Sequence, residues 1–195
     1  MALLIVGLVI FLGAHSVRIV ADDWRSAQIA KVGLKVWKSS YALLSLIGFV
    51  LIAYGYGLAR QSPLVLYLTP AWTRHLAAFL TLVAFVLIAA TYVRQTRIKA
   101  IVGHPMVAGV TVWAIAHLLA NGTLADVILF GSLLIWATFS YVAARRRDRA
   151  AHVNYVTGPI TSDVKAVVFG AAAWAIFTFW LHEWLIGVHP LNLTV

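Results

Sequence analysis

Cysteine is missing from the 195 residues, which excludes disulfides, thiolate nucleophiles and Cys-ligated metal centres. Charge is scarce too, at 11% of residues against about 25% in an ordinary soluble domain. Acids are scarcest, with 6 Asp+Glu facing 15 Lys+Arg for a formal charge of +9. There is no fixed-period repeat and no low-complexity tract, so solenoid and disordered architectures are excluded. What fills the chain is apolar: 63% hydrophobic against roughly 45–50% in soluble domains. Polar side chains cannot cover such a surface in water. The composition describes an all-α polytopic membrane bundle.

A helix needs about 20 largely apolar residues to cross a hydrocarbon core of about 30 Å. Six segments meet or approach that length, at about 2–20, 37–58, 75–93, 105–121, 124–144 and 164–188. The first lacks the basic n-region and small-residue cleavage site of a signal peptide, so it reads as a span. The spans fill most of the chain, and residues 1–195 form one integral-membrane domain. Asn121-Gly122-Thr123 separates the fourth and fifth spans, and Thr123 with Asp126 spells a capping box. This pattern predicts a tight antiparallel hairpin. The stretch Asp22–Val36 mixes Trp24, Ile29, Val32 and Leu34 with charges and suits either a short interfacial helix or a solvated loop.

The basic residues report orientation. Arg18, Arg25, Lys31, Lys35 and Lys38 border the first connection; Arg94, Arg97 and Lys99 the third; Arg145, Arg146, Arg147, Arg149 and Lys165 the fifth. Only Arg60 and Arg74 fall on the other side, a split of 13 to 2. Cytoplasmic loops are enriched in Lys and Arg, so both termini are expected on the non-cytoplasmic side. The basic excess is a topology signal, and without an aromatic-interleaved basic patch nucleic acid is not an expected partner.

Ionisable groups inside apolar spans are costly and mark a functional interior. His15 lies inside the first span and His117 inside the fourth. Trp113 and Asn121 stand four residues either side of His117, which places all three on one helical face. Two histidines on different helices, with no carboxylate inside either span, are read in two ways. They hydrogen-bond neighbouring helices, or they ligate a metal; neutral imidazoles without Cys suit haem iron better than catalytic zinc. Each sits about 13 residues, roughly 20 Å, from the start of its helix. Because the helices run oppositely, a core of about 30 Å leaves about 9 Å between their depths, which a tilted porphyrin spans. His104 precedes Pro105 at a helix start and is about 20 Å along the helix from His117. The two cannot share one iron, so His104 is an interfacial residue or part of a second site. His75 beside Arg74 and Trp72 reads as an interfacial anchor. His182, Glu183 and His189 cluster near the end of the last span, but the His-Glu-x-x-His spacing is absent and Trp180 and Trp184 mark an interface.

The segment Gly103-His-Pro-Met-Val-Ala-Gly109, with Val112-Trp-Ala-Ile-Ala-His-Leu-Leu-Ala-Asn-Gly122, resembles the NnrU family. So do Gly13-Ala-His-Ser16, the stretch from Ser45 to Gly57, and Leu129-Phe-Gly-Ser-Leu-Leu; together the likeness covers at least residues 1–147. It departs at Gly103, where the family has a basic residue. The resemblance implies an association with denitrification, alongside nitrite and nitric oxide reduction. The 15-cis-zeta-carotene isomerases are similar to this family; they hold b-type haem between two histidines and isomerise a polyene when the iron is reduced. Carried over, this implies His15 and His117 as axial ligands of haem b, with His104 a weaker alternative and Trp113 and Asn121 beside the cofactor. The His-Pro pair followed by Gly is also similar, over that short stretch alone, to membrane isoprenylcysteine methyltransferases.

Three expectations follow. The first is a haem-b protein of a bacterial inner membrane, with periplasmic termini and a role in redox sensing, electron transfer or reductase maturation with a redox partner. The second is a haem-dependent cis–trans isomerase acting on a lipophilic polyene. The third is a helical scaffold in the bilayer whose histidines only join helices. Oligomeric state is silent in the sequence.

Overall fold

The computed structural model describes residues 1–191, so residues 192–195 of the domain expected over 1–195 lie outside it. Its helices are α1 (Ala2–Val20), α2 (Asp22–Val32), α3 (Leu34–Ala59), α4 (Trp72–Tyr92), α5 (Arg97–Val102), α6 (Pro105–Ala120), α7 (Leu124–Ala150), α8 (Ile160–Ile176) and α9 (His182–Ile186). A π-helical turn, Phe177–Leu181, joins α8 to α9, and together they make one apolar span, Ile160–Ile186. Five of these helical segments are long and apolar enough to cross a membrane, and α6 is a shorter apolar helix. The all-α bundle expected from the sequence is therefore present. The segment after Asp22 is helical, with no buried residue in α2.

The helices neighbour one another in the order α3, α1, α7, α6, α4, α8. Glycine allows the closest of these approaches. A Cβ on Gly7 would lie 2.6 Å from the Ile52 amide nitrogen, and one on Gly48 would lie 2.8 Å from that of Phe11. One on Gly55 would collide with the Leu4 backbone. Small residues at a membrane helix interface bring backbones into contact, where dispersion accumulates without a hydrophobic driving force. Beside this seam, Leu4, Leu8, Ile52, Ala125, Leu129 and Phe130 form the core cluster shared by α1, α3 and α7. Large side chains such as Phe49, Phe139 and Phe169 face outward, as a bilayer solvent permits.

The α6–α7 hairpin forms as the turn residues predict. The Thr123 hydroxyl accepts from the Asp126 amide, and the Asp126 carboxylate accepts from the Thr123 amide, closing the capping box. Asp126 is buried, and its other oxygen accepts from the Tyr56 hydroxyl at 2.6 Å. With 16 residues, α6 spans only about 24 Å, so its ends must be satisfied inside protein. The loop between α3 and α4 does this at the C-terminus. The Tyr67 hydroxyl donates to the carbonyls of Leu118 and Asn121, and Thr69 donates to that of Ala120. Leu66 N–H donates to Gly122 O at 2.8 Å, and Leu124 N–H to Leu64 O at 2.8 Å. Any side chain at Gly122 would collide with the Tyr67 carbonyl.

Candidate functional site

His15 continues the Leu4–Leu8–Phe11 stripe of α1 at helical spacing, which turns it toward the protein. Its Nδ1 lies 2.7 Å from the Phe11 carbonyl oxygen. A carbonyl only accepts, so Nδ1 carries the proton and the neutral ring keeps its lone pair on Nε2. The imidazole stacks on Phe11 with centroids 4.1 Å apart. Tyr41 of α3 and Trp136 of α7 stand at 5.1 and 5.8 Å. The Trp136 indole N–H beside it is buried with no partner among the described residues.

His117 repeats the device. Its Nδ1 donates to the Trp113 carbonyl at 2.8 Å, one turn back, again leaving the lone pair on Nε2. The ring lies between Trp113 and Phe130, with both centroids at 4.5 Å. Asn121 donates its side-chain amide to the His117 carbonyl at 2.9 Å. The shared face of Trp113, His117 and Asn121 is thus a ladder of i to i+4 contacts: Trp113 fixes the ring and Asn121 fixes the backbone beneath it.

Both imidazoles lie against α7. His15 meets Trp136 and His117 meets Phe130, positions six residues apart and so about 9 Å along the helix. The two α7 positions are also about 120° apart around the axis, so the histidines approach adjoining faces. A groove of about 310 Å³ runs along the flank of α1 against α7, lined by Leu8, Val9, Leu12, Gly13, Ser16, Ile128 and Ser132 among others.

The donor chemistry of each imidazole would suit haem iron, with His15 and His117 as the residues that would hold it. Ligating histidines commonly donate their second ring nitrogen to a backbone carbonyl, which fixes tautomer and ring plane. His15 and His117 are fixed in that way, and aromatic rings wall both.

His104 differs. It caps the N-terminus of α6, with Pro105 in the first turn. Its Nε2, the nitrogen left free in the other two, donates to Asp148 Oδ2 at 2.8 Å. Tyr155 donates to the same oxygen at 2.8 Å, and the Arg145 guanidinium stands 3.5 Å from it. The Tyr141 hydroxyl donates to the Val102 carbonyl at 2.8 Å, bracing the adjacent turn. Burial pushes the Tyr155 phenol above its ordinary value, and the hydrogen bond and charge of Asp148 push it further. The partners Asp148 and Tyr155 escape a sequence reading because they lie 44 and 51 residues away; the only sequence signal was a lone acid within a run of arginines.

The cluster near the last span is arranged differently from a metal site. His182 Nδ1 donates to the Val188 carbonyl at 2.6 Å, and no group of three metal-binding side chains occurs among the described residues. The π-helical turn that sets the direction of His182 has no signal in the sequence.

Compared with curated proteins and with solved structures, the chain matches none. It does match the family model described as NnrU protein over residues 3–190. This is nearly the whole chain, and the match extends past the motifs around His15 and His117 to the last span. The chain belongs to the NnrU family.

Proposed function

We propose that this chain binds haem b within the bilayer, that Nε2 of His15 and of His117 would hold the iron, and that the protein serves nitrogen-oxide respiration in a redox, electron-transfer or maturation role. The observation that carries this reading is the shared tautomer lock: each imidazole gives its Nδ1 proton to the carbonyl one turn back. A histidine that merely joined two helices would spend a ring nitrogen on the neighbouring helix, and among the described residues neither does. Haem b, when bound, supplies a one-electron couple at its iron whose potential depends on axial ligands and burial. The chain's residues set those conditions. Trp113, Phe130 and Phe11 keep water and polar groups from the rings, and the Phe11 and Trp113 carbonyls raise imidazole basicity through the Nδ1 protons.

The test is an optical spectrum of detergent-purified protein expressed with haem supplied. A Soret band with the reduced α and β bands of a six-coordinate b-type centre is expected. His15→Ala and His117→Ala should each lose the low-spin spectrum. An absent Soret band refutes the haem reading, and full low-spin haem in His117→Ala refutes that ligand.

A second reading, haem-dependent cis–trans isomerisation of a polyene, is favoured by the groove between α1 and α7. Its lining is mostly aliphatic, and it reaches Gly13 and Ser16 on either side of His15 in the chain. An elongated apolar substrate would enter there from the lipid. Reduced, haem-loaded protein incubated with a cis-polyene should shift the substrate's absorption; an unchanged spectrum counts against it.

A further inference from the structure

The end of α7 that carries the basic run is built differently from the lipid-facing helix before it. α7 closes in a Schellman arrangement: Val153 N–H donates to the Asp148 carbonyl at 2.9 Å and His152 N–H to that of Arg149 at 3.2 Å. The C′ position, where glycine is usual, is His152 at φ 49°. The chain folds back over the helix end and leaves a polar pocket of about 340 Å³ lined by Arg145, Asp148, Arg149, His152, Val153 and Asn154.

The pocket is cationic despite its carboxylate. Asp148 Oδ2 is already engaged by His104, Tyr155 and Arg145. Arg145 is also held from below: a Cβ at Gly103, where φ is 77°, would strike its guanidinium. Arg149 forms no ion pair or side-chain hydrogen bond with any described residue, so its charge is unspent. Toward the membrane, Ile135 and Val142 stand on the same flank of α7 and are exposed, at 60% and 40%. A cationic pocket at the polar boundary therefore sits directly above an apolar track.

We propose that this pocket binds the phosphate of an anionic phospholipid in the leaflet facing the basic loops, with Arg145 and Arg149 on the phosphate oxygens and the acyl chains along Ile135 and Val142. Arginine's planar fork matches phosphate geometry. Basic clusters beside a span attract anionic lipid by about 1 kcal/mol per residue. Asn154 and His152 at the rim offer hydrogen bonds to the glycerol beyond the phosphate. This site rests on charge and shape alone and is independent of the haem reading.

The test uses the full chain in detergent, titrated with phosphatidylglycerol or phosphatidylcholine and followed by native mass spectrometry. Saturable retention of phosphatidylglycerol over phosphatidylcholine is expected. Arg149→Gln, an exposed change that removes no internal contact, should weaken retention about five-fold, the equivalent of one lost charge. Arg146→Gln removes an equal charge from the same helix outside the pocket and should leave retention nearly unchanged. Equal losses in the two variants would mean diffuse surface attraction and overturn the site. Equal retention of phosphatidylcholine, or displacement of phosphatidylglycerol by millimolar inorganic phosphate, would overturn the lipid assignment.

Discussion

Gly48→Ala tests the link between the α1–α3 seam and the His15 site. The added methyl would sit 2.8 Å from the Phe11 amide nitrogen and 3.0 Å from its Cα, whereas ordinary contact begins at 3.4 Å. The shortfall is about 0.6 Å, and since all three obstacles are backbone or Cβ atoms of Phe11, no side-chain rotation relieves it. The helices must part, and Gly7 and Gly55 on the same seam lose contact with them. Overpacking of this kind costs about 1–3 kcal/mol. The change also removes a glycine from a helix interior, a gain of up to about 1 kcal/mol. Gly57→Ala isolates that gain, because a Cβ there meets nothing within 4 Å. Reversible unfolding in mixed detergent and SDS should rank the proteins Gly57→Ala, native, then Gly48→Ala. Because Phe11 supplies the carbonyl that fixes His15, the same variant should, on the haem proposal, lose the cofactor more readily than Gly57→Ala. Equal stability of the two variants would refute the close-packing argument.

Asp126→Ala strands the Tyr56 hydroxyl and the Thr123 amide; it should destabilise by about 1–3 kcal/mol per stranded donor, with Tyr56→Phe milder, as read by thermal unfolding in detergent. Phe130→Ala removes one wall of the His117 ring and should broaden or shift the haem spectrum while leaving the Soret band; an unchanged spectrum would place the cofactor elsewhere. The folded-state pKa of Tyr155 is raised, so its bond to Asp148 contributes fully below the unfolded phenol value of about 10 and is lost as pH rises through the folded value. Difference absorption between the native protein and Tyr155→Phe should show that the variant lacks one phenolate that forms later than an ordinary tyrosine's; loss of an ordinary phenolate instead would refute the bond's effect.

Legibility in the sequence followed the range of the forces involved. Spans, turn and caps are local: Pro105 starts α6, Thr123 and Asp126 start α7, and apolar runs of about 20 residues can satisfy their backbones only as helices in a bilayer. The His15 and His117 tautomer lock is local too, since each acceptor lies four residues back, although only the structure displays which nitrogen is used. The Asp148–His104–Tyr155 network was invisible because its members are joined by folding across 44 and 51 residues.

Composition alone determined the solvent of this protein, and the order of residues along the chain added the helical class and the two histidines whose presence inside a span needs explanation. Tertiary structure decided what those residues meet. It set both histidines against α7, assigned His104 to a separate polar network at the basic end, and folded the chain after α7 back over Arg145 and Arg149 to form one pocket. The physical reason is that hydrophobicity and helix capping act over a turn or two of chain. In lipid, by contrast, helix order follows from close packing at a few glycines and from buried polar groups finding partners, and neither is written in any single segment.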